Sequence, residues 1–243
     1  MKKNAMLKIA AILLVAVLLT TCAISTTFAK YVTNGTETPA GGARVAKWGL
    51  KFEAYAAEDK EPIFLNEYEN GGFTLAKSST QIVAPGTSNE GVVDVKITGT
   101  PEVSFALKAT VTVALDNWTV KDAGDADVFY CPLTFDIGDA TGISLDGLEE
   151  TAAEEAIANA IANALTGANN ADNGIATMKY EVGTDEFADF ADIAADVSWS
   201  WADTVDAVKD DYDTQLGNIA HDNEGNAATI AISYTLSAEQ IFA

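Results

Sequence analysis

The sequence predicts a mostly β protein that packs as a sandwich, and three observations carry that prediction. Apolar and polar residues alternate with a period of two in successive stretches from Ala46 to Leu236. Turn signals such as Ala84-Pro85-Gly86-Thr87 and Gly99-Thr100-Pro101 separate those stretches, proline presetting one dihedral and glycine freeing the next. Helical spacing is strong in only one long segment, about 148–167.

The chain opens on Lys2, Lys3 and Lys8, continues through the apolar run Ile9 to Leu19, and reaches small residues at Thr27-Phe28-Ala29. That order is the pattern of a secretory signal peptide over 1–29, cut between Ala29 and Lys30. The apolar run has roughly half of the ~20 residues that a membrane anchor needs, so no span is expected after processing. Thr21 is a poor residue before a lipidated cysteine, and lipidation of Cys22 is not expected. Residues 30–43 are polar, rich in Gly and Thr, and read as a flexible lead-in; 44–243 read as a single domain.

Ala46, Trp48, Leu50, Phe52 and Ala54 alternate as a half-buried strand, and a loop follows from Asp59 to Gly72. Val93, Val95 and Ile97 form a second strand. Val103, Phe105, Leu107, Ala109, Val111, Val113 and Leu115 then keep one long face apolar. Adjacent strands with apolar faces need a second layer to hide them, hence the sandwich. Leu133, Phe135 and Ile137 form a further strand. In the helical segment, Thr151 and Glu154 suggest a capping box and Gly167 a stop; the Ala-rich stripe suits docking on the sheets or covering a sheet edge. Ala176 to Val182 alternate, a short helical turn is expected near 186–194, Val197 to Trp201 alternate, and Asp203 to Asp213 read as an acidic loop. Ile230, Ile232, Tyr234 and Leu236 close the pattern.

The 243 residues include 14 basic and 36 acidic ones, for a net charge of −22. Removing the leader takes three lysines and no acid, which leaves 11 against 36, or −25. Such a surface repels nucleic acid and anionic membranes. Without Cys22, Cys131 stands alone in Phe129-Tyr130-Cys131-Pro132-Leu133, where a buried inert thiol is expected. Export without disulfides fits a bacterium better than a eukaryotic secretory route.

Catalytic signals are sparse. His221, the one histidine, has no second ligand or HExxH context and reads as a solvated loop residue. Nothing selects a carboxylate pair from 36 candidates. Asp122, Asp125 and Asp127 are weak calcium candidates, as are Asp206, Asp210, Asp211 and Asp213, although neither set has EF-hand spacing. Trp199 and Trp201 form a candidate aromatic platform for sugars, but period-two spacing puts both indoles on one strand face, where packing is the usual fate.

Taken together, Thr26-Thr27-Phe28-Ala29, the Ala46-to-Phe52 strand, Ala84-Pro85-Gly86-Thr87 and Thr98-Gly99-Thr100-Pro101-Glu102-Val103 resemble the TasA and camelysin (CalY) family of Gram-positive surface proteins. Trp199-Ser200-Trp201 leading to Asp213-Thr214-Gln215-Leu216-Gly217, and the closing Ser237-Ala238-Glu239-Gln240, extend the resemblance. It implies export by a SipW-type signal peptidase, a jelly-roll-like β-sandwich, and extracellular fibres in a biofilm matrix. It also implies that the freed N-terminus of one subunit adds as a strand to the next. The donor segment here would be Lys30 to about Ala43, with Lys30, Tyr31, Val32 and Thr33 at its start; Gly35, Pro39, Gly41 and Gly42 weaken its strand character. The expected partner is the protein itself, with a minor matrix accessory protein as a second. No sorting signal is recognised at Phe242-Ala243, so retention at the cell is expected through assembly or partners. Camelysin-like members are regarded as metalloproteases, but no recognisable metal-ligand set is present, and the chain is expected to be no enzyme and to need no cofactor. The alternative expectation is a secreted adhesin or a carbohydrate- or calcium-binding module.

Overall fold

The computed structural model describes residues 46–53, 61–70, 73–74, 81–93, 95–188, 190, 195–202, 206–222 and 226–242. The leader, the lead-in and the cleavage site at Ala29 and Lys30 lie outside the described residues, as do Tyr31, Val32 and Thr33. The chain divides into two compact units, 1–49 with 100–103, and 50–99 with 104–243.

In the first unit, the Lys47 N–H donates to a Glu102 carboxylate oxygen at 2.8 Å, and the Glu102 N–H donates to the Lys47 carbonyl at 2.8 Å. The Lys47 ammonium reaches Thr100 Oγ1 at 3.0 Å. Gly49 takes φ of +63°, a conformation that favours glycine.

The second unit is mostly β, with antiparallel ladders between its strands. Its strands are β1 (Leu50–Glu53), β2 (Glu69–Asn70), β3 (Phe73–Thr74), β4 (Ser88–Val92), β5 (Lys96–Gly99) and β6 (Phe105–Asp116). After these come β7 (Thr119–Lys121), β8 (Asp127–Phe129), β9 (Leu133–Ile137), β10 (Ala140–Ser144), β11 (Ile175–Tyr180), β12 (Asp196–Trp201) and β13 (Thr229–Gln240). The helices are α1 (Glu150–Thr166), α2 (Asp185–Ala188) and α3 (Ala207–Asp222). A four-stranded sheet has the order β10-β9-β12-β4 and a three-stranded sheet the order β11-β6-β13; β1-β5, β2-β3 and β7-β8 form two-stranded ladders.

The alternation of β6 sets the core. Phe105, Leu107, Ala109, Val111, Val113 and Leu115 are all buried, while the residues between them are half-buried or exposed. β9 contributes Leu133, Phe135 and Ile137, and β12 contributes Val197, Trp199 and Trp201, to one apolar cluster with Ala109, Val111, Val113 and Leu115 of β6. α1 fills it from the side with Ala153, Ile157, Ile161 and Leu165. Phe105 also stacks on Tyr180 at 5.0 Å and meets Phe190 edge-on at 5.4 Å. Burial lifts the Tyr180 phenol to about 12, and its hydroxyl donates to the Thr166 carbonyl at 2.7 Å.

Several expectations need correction. The helix over 148–167 is present and stops at Gly167, whose φ is +68°. No capping box starts it, however: Glu149 is the N-cap and makes no side-chain cap bond. The Glu154 carboxylate instead accepts the Leu115 N–H at 2.9 Å, tying the helix to β6. The 203–213 acidic stretch is not a loop throughout, because α3 begins at Ala207. Asp206 accepts the Val208 N–H at 2.9 Å, a cap that offsets orphan donors. Tyr212, Leu216 and Ala220, four residues apart, lie on the less exposed side of α3. The turn expected near 186–194 is α2 at Asp185–Ala188. Finally, on the apolar face of β1 Leu50 is half-buried but Phe52 is 41% exposed, so the cover that its alternation suggested is only partial.

Candidate functional site

Trp199 and Trp201 share one face of β12, as their spacing requires, but that face is the core. Trp199 is 2% exposed, donates Nε1–H to the Ile63 carbonyl at 2.7 Å, and meets Tyr68 edge-on at 5.6 Å. A surface platform for sugars is therefore not formed: the indoles are spent on packing.

Asp122, Asp125 and Asp127 do not converge on a cation. They belong to the β7–β8 hairpin, where Asp122 Oδ1 accepts the N–H groups of Gly124 and Ala126 at 2.8 and 2.9 Å. Asp125 sits at φ of +64°, and Asp127 pairs with Lys121 at 2.7 Å. That pair raises the Lys121 pKa through the hydrogen bond to Asp127. The carboxylates thus form a turn, and the neighbouring positive charge is a lysine of the chain itself.

In the second acidic set, Asp206 caps α3, Asp211 accepts from Gln215 at 2.8 Å, and Asp213 accepts the Tyr130 hydroxyl at 2.8 Å. His221 is not a loop residue but an exposed one in the last turn of α3. Among the described residues no three His, Cys, Asp or Glu side chains gather to hold a metal ion. Cys131 is fully buried, and desolvation pushes its thiol up to about 12. No helix among the described residues is long and apolar enough to cross a membrane.

What remains is the treatment of sheet edges. An edge strand offers unpaired backbone groups, and proteins usually cover or interrupt them. β4 is covered: the Val92 N–H donates to the Glu61 carbonyl at 3.1 Å, and Asn89 Nδ2 donates to the Pro62 and Ile63 carbonyls at 2.7 and 3.1 Å. The approach is close enough that a Cβ on Gly91 would lie 2.6 Å from Pro62. β11 is masked by one amide, since Asn170 both donates to the Thr177 carbonyl at 3.0 Å and accepts its N–H at 3.3 Å, like a strand residue. β10 is short and its ladder shifts register between Ala140 and Ile143.

Among the described residues β13 shows none of these devices. It runs for 12 residues without a register shift, carries neither proline nor lysine, and among the described residues pairs with β6 alone. The Ile241 N–H donates to the Ser104 carbonyl at 3.0 Å, so residue 241 faces β6. Backbone groups alternate sides along a strand, so Ile230, Ile232, Leu236, Ala238 and Gln240 turn theirs away from β6. No hydrogen bond reaches those outward groups among the described residues. Their side chains, with Tyr234, lie beside the buried β6 residues from Phe105 to Leu115, yet each is only half-buried. The core thus thins along β13 and leaves a half-buried apolar row beside outward backbone groups that, at Ile230, Ile232, Leu236 and Ala238, have no partner among the described residues. Sequence reasoning recognised the row but not its place at an edge.

No protein-family model matches the chain, and no curated protein or solved structure proves significantly similar to it.

Proposed function

We propose that the protein is a secreted structural subunit of extracellular fibres that polymerises when an extended segment of one copy adds to β13 of another. The observation that carries this reading is the long β13 edge with its half-exposed apolar row. An added strand gains main-chain hydrogen bonds from the outward groups, and alternate side chains cover Ile230, Ile232 and Leu236. The donor is the segment 30–43, freed by cleavage between Ala29 and Lys30, with Tyr31 and Val32 as its apolar anchors. Such head-to-tail addition does not close on itself and yields filaments. The two sheets that share one apolar cluster support a jelly-roll-like sandwich, and the resemblance to the TasA and camelysin family supports a place in a Gram-positive biofilm matrix. In this reading the chain has no catalytic role.

Electron microscopy of residues 30–243 and 44–243 tests the proposal. Filaments are expected from the first and their loss from the second, with circular dichroism unchanged. Filaments of equal length from both chains, or none from either across salt and pH, would reject it.

A further inference from the structure

α1 holds the turn that leads into β11 by two amide side chains. Asn163 Oδ1 accepts the Ala171 N–H at 2.9 Å, and one helical turn earlier Asn159 Oδ1 accepts the Gly174 N–H at 2.7 Å. The chain reverses from Asp172 to Ile175, whose backbones exchange hydrogen bonds of 3.0 and 2.9 Å. The two central residues, Asn173 and Gly174, take φ of +49° and +73°. Positive φ at both positions marks the hairpin turn that favours Asn-Gly. Packing narrows the choice further, because a Cβ on Gly174 would fall 2.1 Å from the Val111 carbonyl oxygen.

The pair that the fold demands is also a chemical liability, since glycine offers an attacking nitrogen with no Cβ beside it. In deamidation the Gly174 nitrogen gives up its proton and bonds to Asn173 Cγ. The Cγ–Nδ2 bond breaks and ammonia leaves with that proton. Water then opens the cyclic imide to aspartate or isoaspartate. Asn173 is exposed, so water reaches it, whereas Gly174 is buried. The attacking nitrogen is the one whose N–H Asn159 accepts, and ring closure must first break that bond.

We infer that Asn173-Gly174 is a deamidation site that the fold keeps closed, with Asn159 as the positioning residue that holds the attacking amide. Opening it puts a new carboxylate, and in isoaspartate an extra main-chain carbon, into the turn between α1 and β11. This site is independent of the assembly reading.

The test incubates the full chain in mildly alkaline buffer and follows Asn173 by peptide mapping with mass spectrometry. Asn159→Ala should deamidate roughly two- to tenfold faster than the parent, the worth of one hydrogen bond. Asn159→Asp keeps an acceptor in place and should stay at or below the parent's rate. Asn163→Ala loosens the same turn at Ala171 without touching the Gly174 amide, and should also keep the parent's rate. Hydrogen exchange on the parent provides a second reading that needs no variant: the Gly174 amide should exchange far more slowly than in the urea-unfolded chain. Equal rates in the parent and Asn159→Ala overturn the inference, as does equal acceleration by Asn163→Ala, because loosening of the turn would then suffice. Acceleration by Asn159→Asp, or rapid exchange at Gly174 in the folded parent, overturns it as well.

Discussion

Cys131 shows how far a residue can be read from its neighbours. Flanked by Phe129, Tyr130 and Leu133, it was expected to be inert, and it is fully buried with its thiol pushed up to about 12 by desolvation. A raised thiol pKa means that the unfolded chain loses its proton first as pH rises. Above about 9.0, the ordinary value, the folded state holds more protons and stability falls. The slope for this group is about 1.4 kcal/mol per pH unit until the folded thiol also ionises. Denaturant titrations over this interval should therefore show a steeper alkaline loss for the parent than for Cys131→Val. A thiol reagent at pH 8 should label the folded chain only at its unfolding rate, and rapid labelling without denaturant would contradict the burial. Asn170 and Gly174 were not foreseen, because the first acts across a turn on an edge strand and the second meets a strand far away in sequence. The Asn170 amide acts on Thr177, and a Cβ on Gly174 would fall 2.1 Å from the Val111 carbonyl.

At the scale of elements, β13 carries the most consequential prediction. Proline removes one N–H, so its cost depends on which way that N–H points. Ala238 turns outward and Ser237 toward β6, by alternation from the Ile241 bond. Ala238→Pro should fold with a melting temperature near the parent's yet fail to elongate, since it removes an outward N–H that the added strand would use. Ser237→Pro should lose about 1–3 kcal/mol of stability by leaving a β6 carbonyl unpaired. Thermal melts together with filament counts check both, and normal filaments from Ala238→Pro would rule out addition at this edge. α3 shows why one element escaped the sequence reading. Its acids obscured the four-residue spacing of Tyr212, Leu216 and Ala220, and Asp206 was counted as a loop charge when it is a cap. In α1 the reverse occurred: Thr151 and Glu154 fitted a capping pattern, but Glu154 found a more rewarding donor in the backbone of β6.

For the whole molecule, charge and assembly oppose each other. A chain at −22 repels its own copies, and that repulsion weakens as the screening length falls from roughly 30 Å at 0.01 M salt to 3 Å at 1 M. Light scattering should show elongation accelerating across that interval, and indifference to salt would argue against a contact between acidic copies. The sequence by itself determined the β class, the long alternating strand of β6, the α1 segment and the acidity, because period, turn chemistry and composition are local properties of the chain. Only the tertiary structure decided that Trp199 and Trp201 are core rather than surface, that Asp122, Asp125 and Asp127 close a hairpin, and that β13 pairs with β6 alone among the described residues. A residue's neighbours in sequence set its local conformation, but whether it meets water, an apolar wall or a hydrogen-bond donor depends on segments up to more than a hundred positions away, such as Ile63 against Trp199.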